Sequence, residues 1–169
     1  ELLKVVSENE GVYTTHIRSE SNKLIESVEE TLDLAGRTGV STLLSHHKAA
    51  GIANHGKTKT TLKMVEDANK KGLNVNVDVY PYEAASTQFS AVLPPWALEG
   101  GVGKLIERLN NDETRKKIIA DIKDKDSDYE NFYQLSGWDK ILINDCSVEK
   151  YIGKTVEEIS EENNRDPFE

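Results

Sequence analysis

The chain has 169 residues and a net charge of −9, from 21 Lys and Arg against 30 Asp and Glu. A hydrophobic share of 37% with 30% charged residues excludes a disordered chain, and the acidic balance argues against nucleic acid or an anionic membrane as partner, because phosphate binding draws on cationic side chains. No run of about 18 apolar residues is present, so no membrane-spanning helix is expected, and the single cysteine, Cys146, excludes an internal disulfide and fits a reducing, cytoplasmic compartment.

Neither Glu1 nor the closing Asp166-Pro167-Phe168-Glu169 has the composition of a leader or a tail, so an internal piece of a longer protein is expected. Val12 to Ile17 is a β-branched and aromatic run that predicts a strand. From Asn22 onward Leu24, Val28, Leu32 and Ala35 recur at three- and four-residue spacing among acidic residues, which predicts an amphipathic helix ended by Gly36 and Gly39. Val40 to Leu44 reads as a second strand, stopping at Ser45-His46-His47-Lys48. A glycine-containing loop and a helix carrying Leu62, Val65 and Ala68 follow, and Leu73 to Tyr80 reads as a third strand.

Strand and helix therefore alternate in units of about thirty residues, as in βαβ repeats. Polar residues gather at the strand ends: His16, His46, then Asp78, Tyr80 and Tyr82. That pattern matches the active-site face of either a (β/α)₈ barrel or an open sheet. A complete barrel needs about 250 residues, so residues 1–87 are expected to be βα units of part of a barrel, or a small open sheet.

Residues 88–169 read as a mostly helical insertion or accessory region. Leu93-Pro94-Pro95-Trp96 is expected to be loop, with helices over Val102–Leu109 and Glu113–Ile122 and Asp112 as N-cap of the second. Asp124 to Asp128 reads as a solvated turn and Lys140 to Asn144 as one further strand. Thr155 and Glu158 form a capping box that opens a last helix.

Two motifs compete for the chemistry. Gly51-Ile52-Ala53-Asn54-His55-Gly56-Lys57-Thr58 satisfies the phosphate-loop pattern in full, with Lys57 and Thr58 as phosphate and magnesium contacts. Such a loop comes straight off a buried apolar strand, whereas here His46 to Ala50 intervenes after Leu44. The following Asn74-Val75-Asn76-Val77-Asp78 alternates polar and apolar, unlike a central parallel strand buried on both faces. The second constellation is the histidines. Imidazole is the commonest protein ligand for zinc, and His16 and His46 on adjacent parallel strands would face one pocket. A catalytic zinc wants about three protein ligands and spacing supplies two, so a satisfied core histidine at His16 and a polar loop at His46-His47 is the competing reading.

Tyr13-Thr14-Thr15-His16-Ile17-Arg18-Ser19-Glu20, Ser45-His46-His47-Lys48, Asn54-His55-Gly56-Lys57-Thr58 and Asp78-Val79-Tyr80-Pro81-Tyr82 with Ser86-Thr87 together resemble, in order and spacing, the D-aminoacylase family. These are N-acyl-D-amino-acid deacylases of the amidohydrolase superfamily, and Pro94-Pro95-Trp96, Gly153-Lys154 and Asp166-Pro167-Phe168 extend the likeness. The resemblance implies a metal-dependent (β/α)₈ barrel of which this chain supplies about strands five to seven. It implies that His16 and His46 ligate zinc and that Lys48 and Tyr80 hold the carboxylate of a small N-acyl amino acid. It also accounts for the Asn54 to Thr58 loop without a nucleotide.

Arg18 is read as structural, pairing with Glu20 or another carboxylate. His47, His55 and Asp78 match no ligand or base of the family, and its His-x-His, cysteine ligand and general acid/base Asp have no counterpart here; Cys146 lies too late to be that cysteine. The expectation is a fragment of a zinc-dependent deacylase, selective for D substrates by resemblance, inactive alone, and prone to self-association through exposed barrel edges. A nucleotide-binding domain and a non-catalytic α/β module remain the alternatives.

Overall fold

The computed structural model describes all residues from Glu1 to Glu169. They form two compact units, Glu1–Ala85 and Ser86–Glu169.

In the first unit a short helix, α1 (Leu2–Glu8), precedes β1 (Val12–Thr15), α2 (Leu24–Thr38), β2 (Ser41–Leu44), α3 (Lys57–Lys70) and β3 (Val75–Val77). The strands make one parallel sheet in the order β1-β2-β3, with Thr15 level with Leu44 and Leu44 level with Val77. Parallel neighbours need a crossover, and here each crossover is a helix. Leu24, Val28 and Ala35 of α2, Val65 of α3, Leu44 of β2 and Val75 of β3 close into one core with Ile17. The three- and four-residue spacing seen in the sequence is thus the stripe that α2 and α3 bury, while Glu26, Glu29 and Glu30 lie outside it.

Several expectations need correcting here. The α2 helix runs through Gly36 and stops only at Gly39, which takes the left-handed conformation (φ 69°) and donates its N–H to the Ala35 carbonyl at 2.8 Å. The third strand is three residues long rather than eight, because after Val77 the chain turns out of the ladder once Asp78 has paired with Leu44. The α1 helix has no counterpart among the expected elements: it buries no residue fully, and Leu2 and Val5 stay exposed, so its sequence carries no clear stripe.

The second unit is helical: α4 (Pro95–Leu98), α5 (Gly101–Asn110), α6 (Asp112–Lys123), α7 (Phe132–Ser136) and α8 (Val156–Glu162). Trp96 is therefore helical, not loop; Pro95 fits the first turn, where no backbone N–H is required. Asn111, not Asp112, caps α6, accepting from the N–H groups of Glu113 and Thr114 at 3.1 and 3.0 Å. The strand expected over Lys140–Asn144 is reduced to one antiparallel bridge, Leu142 to Thr155. The capping box of Thr155 and Glu158 opens α8 as its sequence dictates. Val92, Ala97, Ile118, Ile122 and Trp138 make the core of this unit. Tyr133 and Phe168 pack against Trp138 and each other in tilted and edge-on contacts, with ring centroids 4.9–5.2 Å apart.

Candidate metal centre

Because Thr15 and Leu44 are level across the sheet, the residues that leave β1 and β2 emerge side by side. Ser45 donates to the Thr15 carbonyl at 3.0 Å and His47 to the Asp78 carbonyl at 2.9 Å, so the ladder continues just past the strand ends. His46 turns sharply there with φ 44°, a conformation costing about 1–3 kcal/mol for a residue with a Cβ. Its N–H donates to the Asp78 carboxylate, which holds that turn. The result brings His16 Nδ1 to 3.0 Å from His46 Nε2.

Below this pair lies a buried carboxylate. Glu20 is 4% exposed. Its segment is fixed by Ser19 N–H to Ser27 Oγ at 3.0 Å and by Ala50 N–H to the Glu20 carbonyl at 2.7 Å. Oε1 accepts from His46 Nδ1 at 2.7 Å and Oε2 pairs with Lys48 Nζ at 2.5 Å. Lys48 also donates to the His46 carbonyl at 2.9 Å and lies 5.3 Å from the centre of the Tyr80 ring. Tyr80 in turn stacks with Tyr82, centroids 6.4 Å apart. The structure thus gathers His16, His46, Lys48 and Tyr80 at one end of the sheet and adds Glu20.

Glu20 escapes a reading of the sequence because its position depends on residues about thirty places away. The only local signal is a glutamate set between Ser19 and Ser21 just after a strand-end histidine. Arg18 does not pair with it: the Arg18 guanidinium lies on the surface and grips Glu30 through two bonds of 2.7 and 3.0 Å. The buried Glu20 carboxylate is committed instead to His46 and Lys48.

The other polar residues fall away from the pair. His47 points into the helix layer, where its Nε2 meets Thr61 Oγ1 at 2.8 Å and burial pushes its pKa down. Lys57 is engaged by Asn54 Oδ1 at 2.6 Å and the Asn22 carbonyl at 3.3 Å, and Asn54 is itself 1% exposed. Residues 52–54 form a 3₁₀ turn, so the loop is braced by its own side chains and the geometry does not favour a phosphate cradle. A cleft of about 470 Å³ opens on the β3 side, lined by Lys48, His55, Thr58, Leu62 and Val79 among others. Neither His16 nor His46 lines it.

The donor set suits zinc. Tetrahedral zinc holds imidazole nitrogens at about 2.0–2.1 Å, which sets two of them roughly 3.3 Å apart. His16 Nδ1 and His46 Nε2 stand close to that spacing, and His16, Glu20 and His46 offer ligand atoms within 4.8 Å of one another.

No protein-family model matches the chain. It is 40% identical over 86 residues to an N-acyl-D-glutamate deacylase of Alcaligenes xylosoxydans xylosoxydans, covering 51% of this chain and 18% of that protein. A D-aminoacylase from the same organism is 36% identical over 87 residues, covering 52% and 18%. Among solved structures, the N-acyl-D-glutamate deacylase of Bordetella bronchiseptica, complexed with zinc and a phosphonate mimic of the tetrahedral intermediate, superposes with a TM-score of 0.67 at 24% identity. That superposition covers 99% of this chain and 27% of the other, and at such identity it shows the fold. In sequence over about half its length, and in fold over nearly all of it, the chain is similar to the N-acyl-D-amino-acid deacylases.

Proposed function

We propose that these residues form part of a zinc-dependent amidohydrolase that cleaves the amide bond of N-acyl-D-amino acids. The observation that supports this most is the pair of facing imidazole nitrogens, 3.0 Å apart, at the ends of adjacent parallel strands. Beside it stands the likeness to deacylases, one of them solved with zinc. In this reading β1, β2 and β3 are about the fifth to seventh strands of a (β/α)₈ barrel, residues 88–169 are an accessory region, and the protein works in the cytoplasm. The chain spans 18% of the length of the curated relatives named above, so the remaining ligands and the general acid/base Asp belong to the rest of such a barrel.

His16 Nδ1 and His46 Nε2 would hold the metal, whose chemistry there is polarisation of the scissile carbonyl and activation of water. Lys48 and Tyr80 would orient the substrate carboxylate. Lys48 suits that role because its ammonium is pinned by Glu20 and the His46 carbonyl, which fixes where its third N–H can point. Tyr80 lies on the same side, its ring centre 5.3 Å from the ammonium. Both outer edges of the sheet are unpaired within this chain, and Val12 and Val79 are exposed beside them, so self-association is expected.

Two assays test the reading. The purified chain should not hydrolyse N-acyl-D- or N-acyl-L-amino acids even with zinc added, and measurable turnover would overturn its status as part of a site. Cobalt(II) should give a d–d absorption band lost in both His16→Ala and His46→Ala. A band that survives both substitutions removes the shared metal.

A further inference from the structure

We propose that Glu20 is the positioning residue of this centre. It sets the tautomer of His46 so that Nε2 presents a lone pair toward His16, and it holds the Lys48 ammonium in the same step. The inference rests on the shared-metal reading of His16 and His46. It adds a role for a side chain that acts through a ligand without being one.

The hydrogen-bond inventory decides the role. His46 Nδ1 has two neighbours with opposite demands: the Glu20 carboxylate, which can only accept, at 2.7 Å, and the Lys48 ammonium, which can only donate, at 3.1 Å. Lys48 has two better acceptors, Glu20 Oε2 at 2.5 Å and the His46 carbonyl at 2.9 Å. The carboxylate is also the nearer of the two neighbours, and a charge-assisted bond of that length is the stronger one. Nδ1 therefore carries the proton and donates to Glu20, which leaves the Nε2 lone pair facing His16 Nδ1. Oε1 sits against Nδ1, so the imidazole ring lies between the carboxylate and the Nε2 side of the site. A metal held at Nε2 lies across the ring from Oε1, and the carboxylate acts through the ring.

The burial pattern agrees. Glu20 is fully enclosed, whereas His16 is exposed and His46 half-buried. A carboxylate kept dry behind an imidazole is a fixed acceptor that does not exchange with water, and carboxylate partners of this kind raise ligand basicity and lock ring orientation. Pairing with Lys48 is also what allows the charge to stay buried. One residue thereby couples the metal side of the site to its anion-binding side.

The test uses Glu20→Met, similar in size but unable to accept, and Glu20→Gln, which keeps one acceptor oxygen. Nitrogen-15 NMR of the metal-free chain at alkaline pH reads the His46 tautomer directly. Wild type should show Nδ1–H, Glu20→Met a mixture of tautomers, and Glu20→Gln a partial return toward wild type. Zinc affinity by competition with a chelating dye should fall roughly tenfold to a hundredfold in Glu20→Met and less in Glu20→Gln. An unchanged tautomer in a folded Glu20→Met chain overturns the proposal. So does a cobalt(II) spectrum altered in Glu20→Gln as if an oxygen ligand were lost, which would make Glu20 a ligand. If wild type binds no zinc, the shared-metal reading fails while the tautomer measurement still decides the role of Glu20. If Glu20→Met does not fold, Glu20→Ala, which also removes the acceptor, decides in its place: a shift of its tautomer balance supports the proposal and an unmoved one contradicts it.

Discussion

At the scale of single residues, the site is held by polar side chains that would be costly to leave alone. Asn54 is the clearest case. Its amide donates to the Ala50 carbonyl at 2.7 Å and to Asn22 Oδ1 at 3.2 Å, and accepts from Lys57 at 2.6 Å, all while 1% exposed. Asn54→Ala removes the side-chain donor to the Ala50 carbonyl and the nearer acceptor of the Lys57 ammonium, so a loss of about 1–3 kcal/mol is expected in denaturant unfolding. A change under about half a kcal/mol would mean that the loop is not braced as described. Tyr129 shows the opposite situation. Its hydroxyl is enclosed without a hydrogen-bond partner, and burial, reinforced by Asp121 and Asp124, pushes its pKa up to about 12. Since the folded state holds this proton more tightly than the unfolded chain does, the stability it contributes is present below about pH 10 and fades as pH rises toward 12. Tyr129→Phe should flatten the alkaline arm of the stability profile at little cost near neutral pH, because no hydrogen bond is lost. An alkaline arm unchanged in Tyr129→Phe would show that other groups control it.

At the scale of elements, the order of strands and helices is readable where a single face carries the burial. Leu24, Val28 and Ala35 announce α2 because one stripe meets one core. Thr155 and Glu158 announce α8 because a capping box is entirely local. Elements whose stability comes from elsewhere are missed or misread. Nothing in Lys140–Asn144 reveals that it pairs only as a single bridge, since that pairing depends on residues 153–156, ten or more places further along the chain. The histidine pair is legible because βα units return the chain at a regular interval, whereas Glu20 lies on a loop with no period. Two substitutions test this division. Leu24→Ala, at 0% exposed, should cost about 2–5 kcal/mol through a cavity in the shared core. Thr155→Ala should cost only about 0.5–2 kcal/mol by removing the cap of α8. A Thr155→Ala loss as large as that of Leu24→Ala would contradict the claim that the cap is local.

At the scale of the whole molecule, the parallel sheet ends on two unpaired edges. β1 presents Val12 at 58% exposure, and Val79 beyond β3 reaches 74%. Apolar strand edges attract further strands, and a lysine blunts them. Sedimentation should therefore show association that rises with concentration and falls in the Val12→Lys/Val79→Lys chain, whereas a monomer at all concentrations would show that the edges are protected. The net charge of −9 opposes such association through mutual repulsion, so added salt should strengthen it. The central claim, however, concerns the strand-end histidines, and calorimetric titration of the purified chain with zinc tests it most directly. One zinc per chain is expected, with binding abolished in His16→Ala/His46→Ala while the fold is kept. No zinc binding by the wild-type chain, or equal binding by the double variant, would contradict the claim that these two side chains share a metal.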